Sequence, residues 1–514
     1  MANTRDKLPA FLAEIKEAVM EDPGLPRNNP TISLWQEPPH PTVASIQSPT
    51  LPQQTDFVVI GSGITGCSVT KTLLEQSVLS GNAKGNHVTL LEARTLVSGA
   101  TGRNGGHLVT AAGHTYANLA KKHGEENAKD ITRFSIMNID YLLKMVREMG
   151  PELEEYSQIR DIIKVMVAQD VPTWESSKKS VQAFQKAVEE HKTYHRLIEK
   201  GNVEERWNVK DGFGAVEHPA GAVWPYRLIT GIYARLLEKY PKRLSIEANT
   251  PVTDIKYDPV VHEYANQYPY TIITPRGSIR AGQVIHCTNG FASHLLSPLR
   301  GKVYPFRGTM SVQKAGSALK NEGNFRSWSG MNQVSLDPDT GMYQTGLYYL
   351  QQNGITGDIW VGTESSYLRD ILKSDDTYVT SESWDALSRF LPNFFSEGWS
   401  KAEKARIKAI WSGIQGHTAD GLPIVGNIPE KFTGRPGSTG EWIAAGFNGY
   451  GMDKCWLTGE ALAKIILGQE VDEWFPKCFR ISEGRVKHAL SMTSVLTKFD
   501  SVPKKKRTAA KGKL

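Results

Sequence analysis

Residues 56–107 read DFVVIGSGITGCSVTKTLLEQSVLSGNAKGNHVTLLEARTLVSGATGRNGGH. The apolar run 57–60, bounded by an acid and a glycine, has the pattern of a buried parallel strand. Gly61, Gly63 and Gly66 follow as G-x-G-x-x-G, with Ile64 and Thr65 opening a stretch, 65–76, whose apolar positions have helical spacing. A second apolar run, 88–91, ends in Glu92. Strand, glycine turn, helix, strand and acid together form the βαβ context of a dinucleotide fingerprint. Gly61 permits the tight turn, Gly63 lets backbone approach a pyrophosphate, and Gly66 lets helix and strand pack closely. Free N–H groups and the helix dipole then favour the diphosphate, while Glu92 accepts from ribose hydroxyls.

Ala93 and Arg94 follow, then a second glycine-rich loop, 98–107. It holds Gly99, Ala100, Thr101, Arg103, Asn104, Gly105, Gly106 and His107. A plain nicotinamide fold lacks such a loop. Its backbone suits a path along a flavin, with Arg103 or Asn104 meeting polar edges. Here the sequence resembles the FAD-dependent oxidoreductases of the D-amino-acid oxidase superfamily. The γ-glutamylputrescine oxidase-like branch, in which GA(S/T)GRNGG also follows LEAR, is most similar in appearance. Glycine oxidase and sarcosine oxidase are more distant. The resemblance covers about residues 30–470 and is densest at 56–107 and 411–468.

A chain of 514 residues exceeds one ordinary core, so two domains are expected. Four scattered cysteines without a C-x-x-C pair argue for a reducing compartment and against zinc or a disulfide framework. No apolar stretch reaches about 18 residues, so no membrane partner is expected. The N-terminus carries acids and no apolar signal core, which favours the cytoplasm. Net charge is +6, and the final PKKKRTAAKGKL carries six positive side chains and no acid. The rest is near neutral, so a nucleic-acid-binding body is not implied. The tail suits a nuclear-import-like patch or a solvated disordered end. Its last three residues, Gly512-Lys-Leu, resemble a peroxisomal address apart from the glycine.

The expected fold is α/β and α+β: a Rossmann-like FAD-binding domain interleaved with a mainly antiparallel-sheet substrate domain. Residues 1–54 read as a helix and a proline-rich arm that Trp35 pins to the body. FAD-binding parts are expected at 55–115, 216–300 and 405–470. A helical part at 116–215 and a sheet at 301–404 belong to the substrate domain, and 471–514 is an extension ending in the basic tail. Residues 116–149 read as one helix stopped by Gly150-Pro151, and 172–200 as another. His191 and His195 fall i,i+4 on the latter, beside Lys192 and Arg196 and without a Cys or Asp partner. That pattern is an exposed helix face, and no metal site is expected.

The resemblance implies that Val252 meets the adenine end through its backbone. It also pairs T-x-D-G-x-P, containing Gly421, with the turn Gly446, Asn448, Gly449, Tyr450, Gly451 and Met452 before a helix. That helix N-terminus would direct positive charge at the flavin pyrimidine. Non-covalent FAD is the implied cofactor, and flavin carries the redox chemistry. In the family, an amine's α-C–H delivers hydride to flavin, the imine hydrolyses, and oxygen is reduced to peroxide. Trp411, His417, Tyr348, Tyr349, Asn448 and Tyr450 are expected to line the reactive site.

Three departures qualify the resemblance. Gln415 stands where glycine oxidase has its carboxylate-binding arginine, and a neutral amide lacks that charged bidentate grip. An α-amino acid is therefore disfavoured unless Arg307 substitutes. Gly413 takes the place of the flavin-linking cysteine of sarcosine oxidase. Trp360 takes that of its oxygen-activating lysine, leaving His417 or Lys454 as replacement cations. The reading is an FAD-dependent oxidoreductase acting on the C–N bond of a small-molecule amine or amino acid, with molecular oxygen as acceptor. The alternatives are a dehydrogenase using another electron acceptor and a non-catalytic flavin-binding protein.

Overall fold

A computed structural model describes residues 9–79, 86–259, 267–400 and 405–504. Lys505 to the C-terminus, including Gly512-Lys-Leu, lies outside the described residues. Two sheets organise the chain. The first has eight strands, six of them in the order Ile424–Asn427, Glu441–Ala445, Gly277–His286, Gln54–Ile60, Val88–Leu91, Leu244–Glu247. All neighbours in that row pair in parallel except the first two. The strand Gln54–Ile60 has Val88–Leu91 on one side and Gly277–His286 on the other. The strand order reverses there, and the crevice beyond such strand ends is where this architecture binds ligands.

The second sheet has ten strands. Eight run Arg406–Thr418, Val303–Lys314, Ile359–Tyr367, Met342–Gln352, Arg326–Met331, Arg160–Ala168, Gly214–Ala222, His107–Leu108. It is antiparallel except where Arg326–Met331 meets Arg160–Ala168. The strand Arg406–Thr418 pairs with Val303–Lys314 along its whole length, so chain from beyond residue 405 still belongs to this sheet.

Local chemistry explains where elements end. The stretch 116–149 is two helices, Ala112–His123 and Glu125–Glu148, because Gly124 at φ +85° breaks the run. The helix Val171–Ala187 ends before His191, and Arg196–Glu199 is a strand. His195 is therefore not on a helix face; it is 2% exposed beside Phe184 and His218. The proline-rich arm is pinned as its tryptophan suggested. Trp35 donates to the Asn104 carbonyl at 2.6 Å and stacks on Trp360 at 4.8 Å. Among the described residues no helix is long and apolar enough to cross a membrane.

Candidate active site

At the C-terminal end of Gln54–Ile60 the chain turns through Gly61 at φ +104°, where a Cβ would stand 2.7 Å from the Cys287 carbonyl oxygen. A Cβ on Gly66 would lie 2.0 Å from the Gly61 oxygen, so only glycine seats the helix Ile64–Leu79 on this turn. Glu92, 8% exposed, accepts from the Ser62 N–H at 3.0 Å and hydroxyl at 2.6 Å, and from the Arg94 N–H at 3.1 Å. Thr101 accepts from the Ile64 N–H at 2.9 Å, tying the second glycine-rich loop to the helix entry.

A cavity of about 610 Å³ begins here. Gly61, Gly63, Ile64, Thr65, Glu92 and Ala93 line its first part, with Arg94 and Val252. It continues past Gly99, Ala100 and Thr101, then Arg103, Asn104, Gly105 and His107. Gly66 and Gly106 do not line it. A Cβ on Gly106 would meet Gln351 Nε2 at 2.3 Å, so that glycine packs the loop onto the sheet. The guanidinium of Arg103 is engaged by the N-terminal arm and an acid. It donates to Thr31 O at 2.7 Å and lies 3.5 Å from Asp376, which also takes Arg94 at 2.9 Å. Both arginines hold the N-terminal arm.

The far end of the cavity lies against one face of the second sheet. Side chains alternate along a strand, so neighbours cannot share that face. Tyr349 faces the cavity, whereas Tyr348 turns away and stacks on Phe390 at 4.0 Å with planes 5° apart. Trp411 does not line the cavity; its indole N–H donates to the Arg103 carbonyl at 2.9 Å and seats the loop. Arg307 also points away, donating to Asp375 O at 3.0 Å with its guanidinium 4.1 Å from the Tyr378 ring. It cannot replace the missing carboxylate grip from there. His417, Asn448 and Tyr450 do line the cavity, as do Gly421, Gly449, Gly451 and Met452. Gly446 does not; a Cβ there would strike Thr418 at 2.6 Å. The Asn448 side chain accepts from the Thr418 N–H at 2.9 Å, so it locks the glycine turn to the strand.

Glu364, absent from the sequence reading, sits at this end and is 7% exposed. It accepts from Gln415 at 2.9 Å, Tyr349 at 3.3 Å and Thr345 at 3.4 Å. Burial pushes its carboxyl up, against the pull of those donors. Gln415 Oε1 is 2.9 Å from His417 Nε2. Because Gln415 gives its N–H to Glu364, its oxygen is the acceptor and His417 Nε2 carries the proton. His417 stacks on Phe306 at 4.2 Å, and burial holds the ring neutral. Room for this cluster comes from Gly308, where a Cβ would lie 2.9 Å from Glu364 and 3.1 Å from Gln415. Lys454 is paired with Asp453 at 2.7 Å, so neither proposed replacement cation is free. The lysines that do line the cavity are Lys164 and Lys498.

The sequence matches the FAD dependent oxidoreductase family DAO over residues 56–465. The chain belongs to that family. Its fold is that of several solved structures. Glycine oxidase from Geobacillus kaustophilus is 18% identical, with 84% of this chain and 99% of that chain covered and a TM-score of 0.63. L-proline dehydrogenase from P. horikoshii is 20% identical over 84% and 98%, with a TM-score of 0.58. L-amino acid deaminase from Proteus vulgaris is 17% identical over 86% and 98%, with a TM-score of 0.56. No curated protein matches the sequence.

FAD is thus the cofactor of this DAO-family chain, and the residues present fit it. Gly61 and Gly63, Glu92 and most of the loop 99–107 line one cavity of ligand size. At Gly99 nothing stands within 4 Å of a Cβ position, leaving the backbone open to an approaching group. The buried Thr288 Oγ1 and His107 Nε2 belong to wall residues and have no protein partner. Gly413 carries no sulfur and leaves no covalent link at that position. Glu364 had a legible signal: alternation along Ile359–Tyr367 puts it on the face of Gly362 and Trp360. Lys498 had none, since it lies beyond the family match.

Proposed function

We propose that this protein oxidises the C–N bond of a small-molecule amine or amino acid, giving an imine that water hydrolyses, with oxygen as acceptor and hydrogen peroxide as product. A place in the γ-glutamylputrescine oxidase-like branch is part of the proposal and rests on GATGRNGG following LEAR at residues 91–106. The supporting observation is the buried carboxyl of Glu364, held by Gln415 and Tyr349 in the cavity that begins at the dinucleotide turn.

When bound, FAD would supply the hydride acceptor for the substrate carbon. The chain's residues do the rest. Glu364 holds the substrate ammonium and takes its proton, leaving the neutral amine from which hydride can depart. Gln415 and Tyr349 aim the carboxylate, and neutral His417 supports Gln415 without competing for charge. Tyr349, Tyr450 and Phe306 form an apolar wall that excludes water from the reacting bond. Trp411 and Tyr348 act one layer back, on the loop and on Phe390.

Purified protein mixed anaerobically with a panel of amines and amino acids tests this. Bleaching of the visible flavin band by one class is the expected result. Recovery on admitting air identifies oxygen as acceptor, and persistent bleaching identifies a dehydrogenase. A flavin band that no amine bleaches overturns the proposal in favour of a non-catalytic flavin-binding protein.

A further inference from the structure

The helix Met492–Asp500 lies beyond residue 465, where the family match ends, yet it reaches the reaction cavity. Lys498 and Phe499 stand on the cavity wall. The helix is held there by the other chain end. Leu12, Ile15 and Val19 of the helix Ala10–Met20 form one core with Val495, Phe499 and Tyr304. The helix Met492–Asp500 therefore walls part of the cavity, and the helix Ala10–Met20 packs behind it.

Lys498 Nζ donates to the Thr418 carbonyl at 3.1 Å and to the Tyr304 hydroxyl at 3.3 Å. An ammonium has three donors, so these bonds leave one. Among the described residues no carboxylate forms an ion pair with it. Asp420, whose charge it feels, is taken by Arg485 at 2.8 Å. Burial, helped by Lys122, lowers the ammonium to about 8, so it is still mostly charged at neutral pH. A half-buried cation without a counter-charge is partly desolvated, and an arriving anion relieves that cost.

Its position is informative. Thr418 ends the strand that carries Gln415 and His417. Gln415 stands where the resemblance to glycine oxidase implies an arginine. Lys498 brings a positive charge to the same strand end from another part of the chain. Along the wall the order is Lys498, His417, Gln415, Glu364: a cation, two neutral side chains and a carboxyl. That order puts a positive and a carboxyl pole on one wall.

We propose that Lys498, on a helix outside the family-matched span, grips the substrate carboxylate in place of a strand-borne arginine, so that the protein prefers amino acids to simple amines. The inference rests on the proposed amine oxidation and adds to it a specificity residue and a substrate class.

The test compares holoenzyme variants on matched pairs: glycine and methylamine, sarcosine and dimethylamine, L-proline and pyrrolidine. Flavin bleaching is read against concentration. Lys498→Met should raise the half-saturating concentration of the carboxylated partner about tenfold or more and leave the other within about twofold. Lys498→Arg should restore it. Lys498→Gln serves if the methionine variant loses its flavin or its fold. Acetate and benzoate, followed by their shift of the visible flavin band, read the same contact without turnover. A wild-type protein that no pair bleaches would sink the proposed oxidation, but Lys498-dependent acetate binding would still support this contact. Equal effects on both partners, or acetate binding indifferent to Lys498, would overturn it.

Discussion

Gln415 donates to Glu364 at 2.9 Å, although the two residues lie on strands separated by Val303–Lys314. The bond crosses above Gly308, whose missing side chain leaves the space. It fixes the carboxyl's direction and commits the amide's oxygen to His417.

Glu364→Gln keeps the shape and removes the proton acceptor. The amine-driven rate should fall by about 10²–10⁴-fold with flavin content unchanged. Burial raises this carboxyl, so the wild-type rate should climb with pH in a limb above the ordinary carboxylate range, where the group loses its proton. The variant should lack that limb. Stopped-flow bleaching across pH checks both expectations, and an unaltered limb would rule Glu364 out as the acceptor.

Adjacent tyrosines should behave differently. Tyr349→Phe removes a donor to Glu364, 3.3 Å away, and should lower kcat/KM about tenfold. Tyr348→Phe, on the opposite face against Phe390, should leave kcat/KM within about twofold. Steady-state kinetics on the two variants decides the matter.

Gly66→Ala places a methyl 2.0 Å from the Gly61 oxygen, which is backbone and cannot swing aside. The helix must shift off the turn, at a cost of about 1–3 kcal/mol or more. The purified variant should show a reduced ratio of flavin to protein absorbance and a lower melting temperature.

Acid stability should depend on Glu441. Burial alone would push this carboxyl up, but Arg435 at 2.6 Å and His286 at 3.1 Å outweigh it and bring the pKa to about 2. A depressed carboxyl contributes stability that is complete above its ordinary value and is lost as pH falls toward the folded value. The window is therefore between about pH 4.5 and 2, and the contribution is about 3 kcal/mol. Glu441→Gln should be less stable than wild type at pH 7, with the gap narrowing toward pH 3. Thermal melts at both pH values read this directly.

The glycine turn at the head of the cavity was legible because its determinants are local. Gly61, Gly63, Gly66 and Glu92 act within one strand–helix–strand unit, and each glycine answers a contact with nearby backbone or helix. Their order in the chain is nearly their order in space. The loop 98–107 was legible as a cavity wall for the same reason. The tie of Arg94 and Arg103 to Asp376 was not, because that acid is more than 270 residues away in the chain.

The reactive half was decided by tertiary structure. Both faces of the second sheet are covered, so Tyr348 and Tyr349 sit in a strand that shows no polar face to reveal its phase. Only packing shows which tyrosine meets the cavity. Glu364, Gln415 and Lys498 come from two strands and a terminal helix, and no spacing in the sequence links them. Sequence alone therefore pointed to a dinucleotide turn, because that turn is built from neighbours along the chain. Which charged groups line the far end of the cavity was decided by folding, because Glu364 and Lys498 reach one cavity only when distant segments close around it.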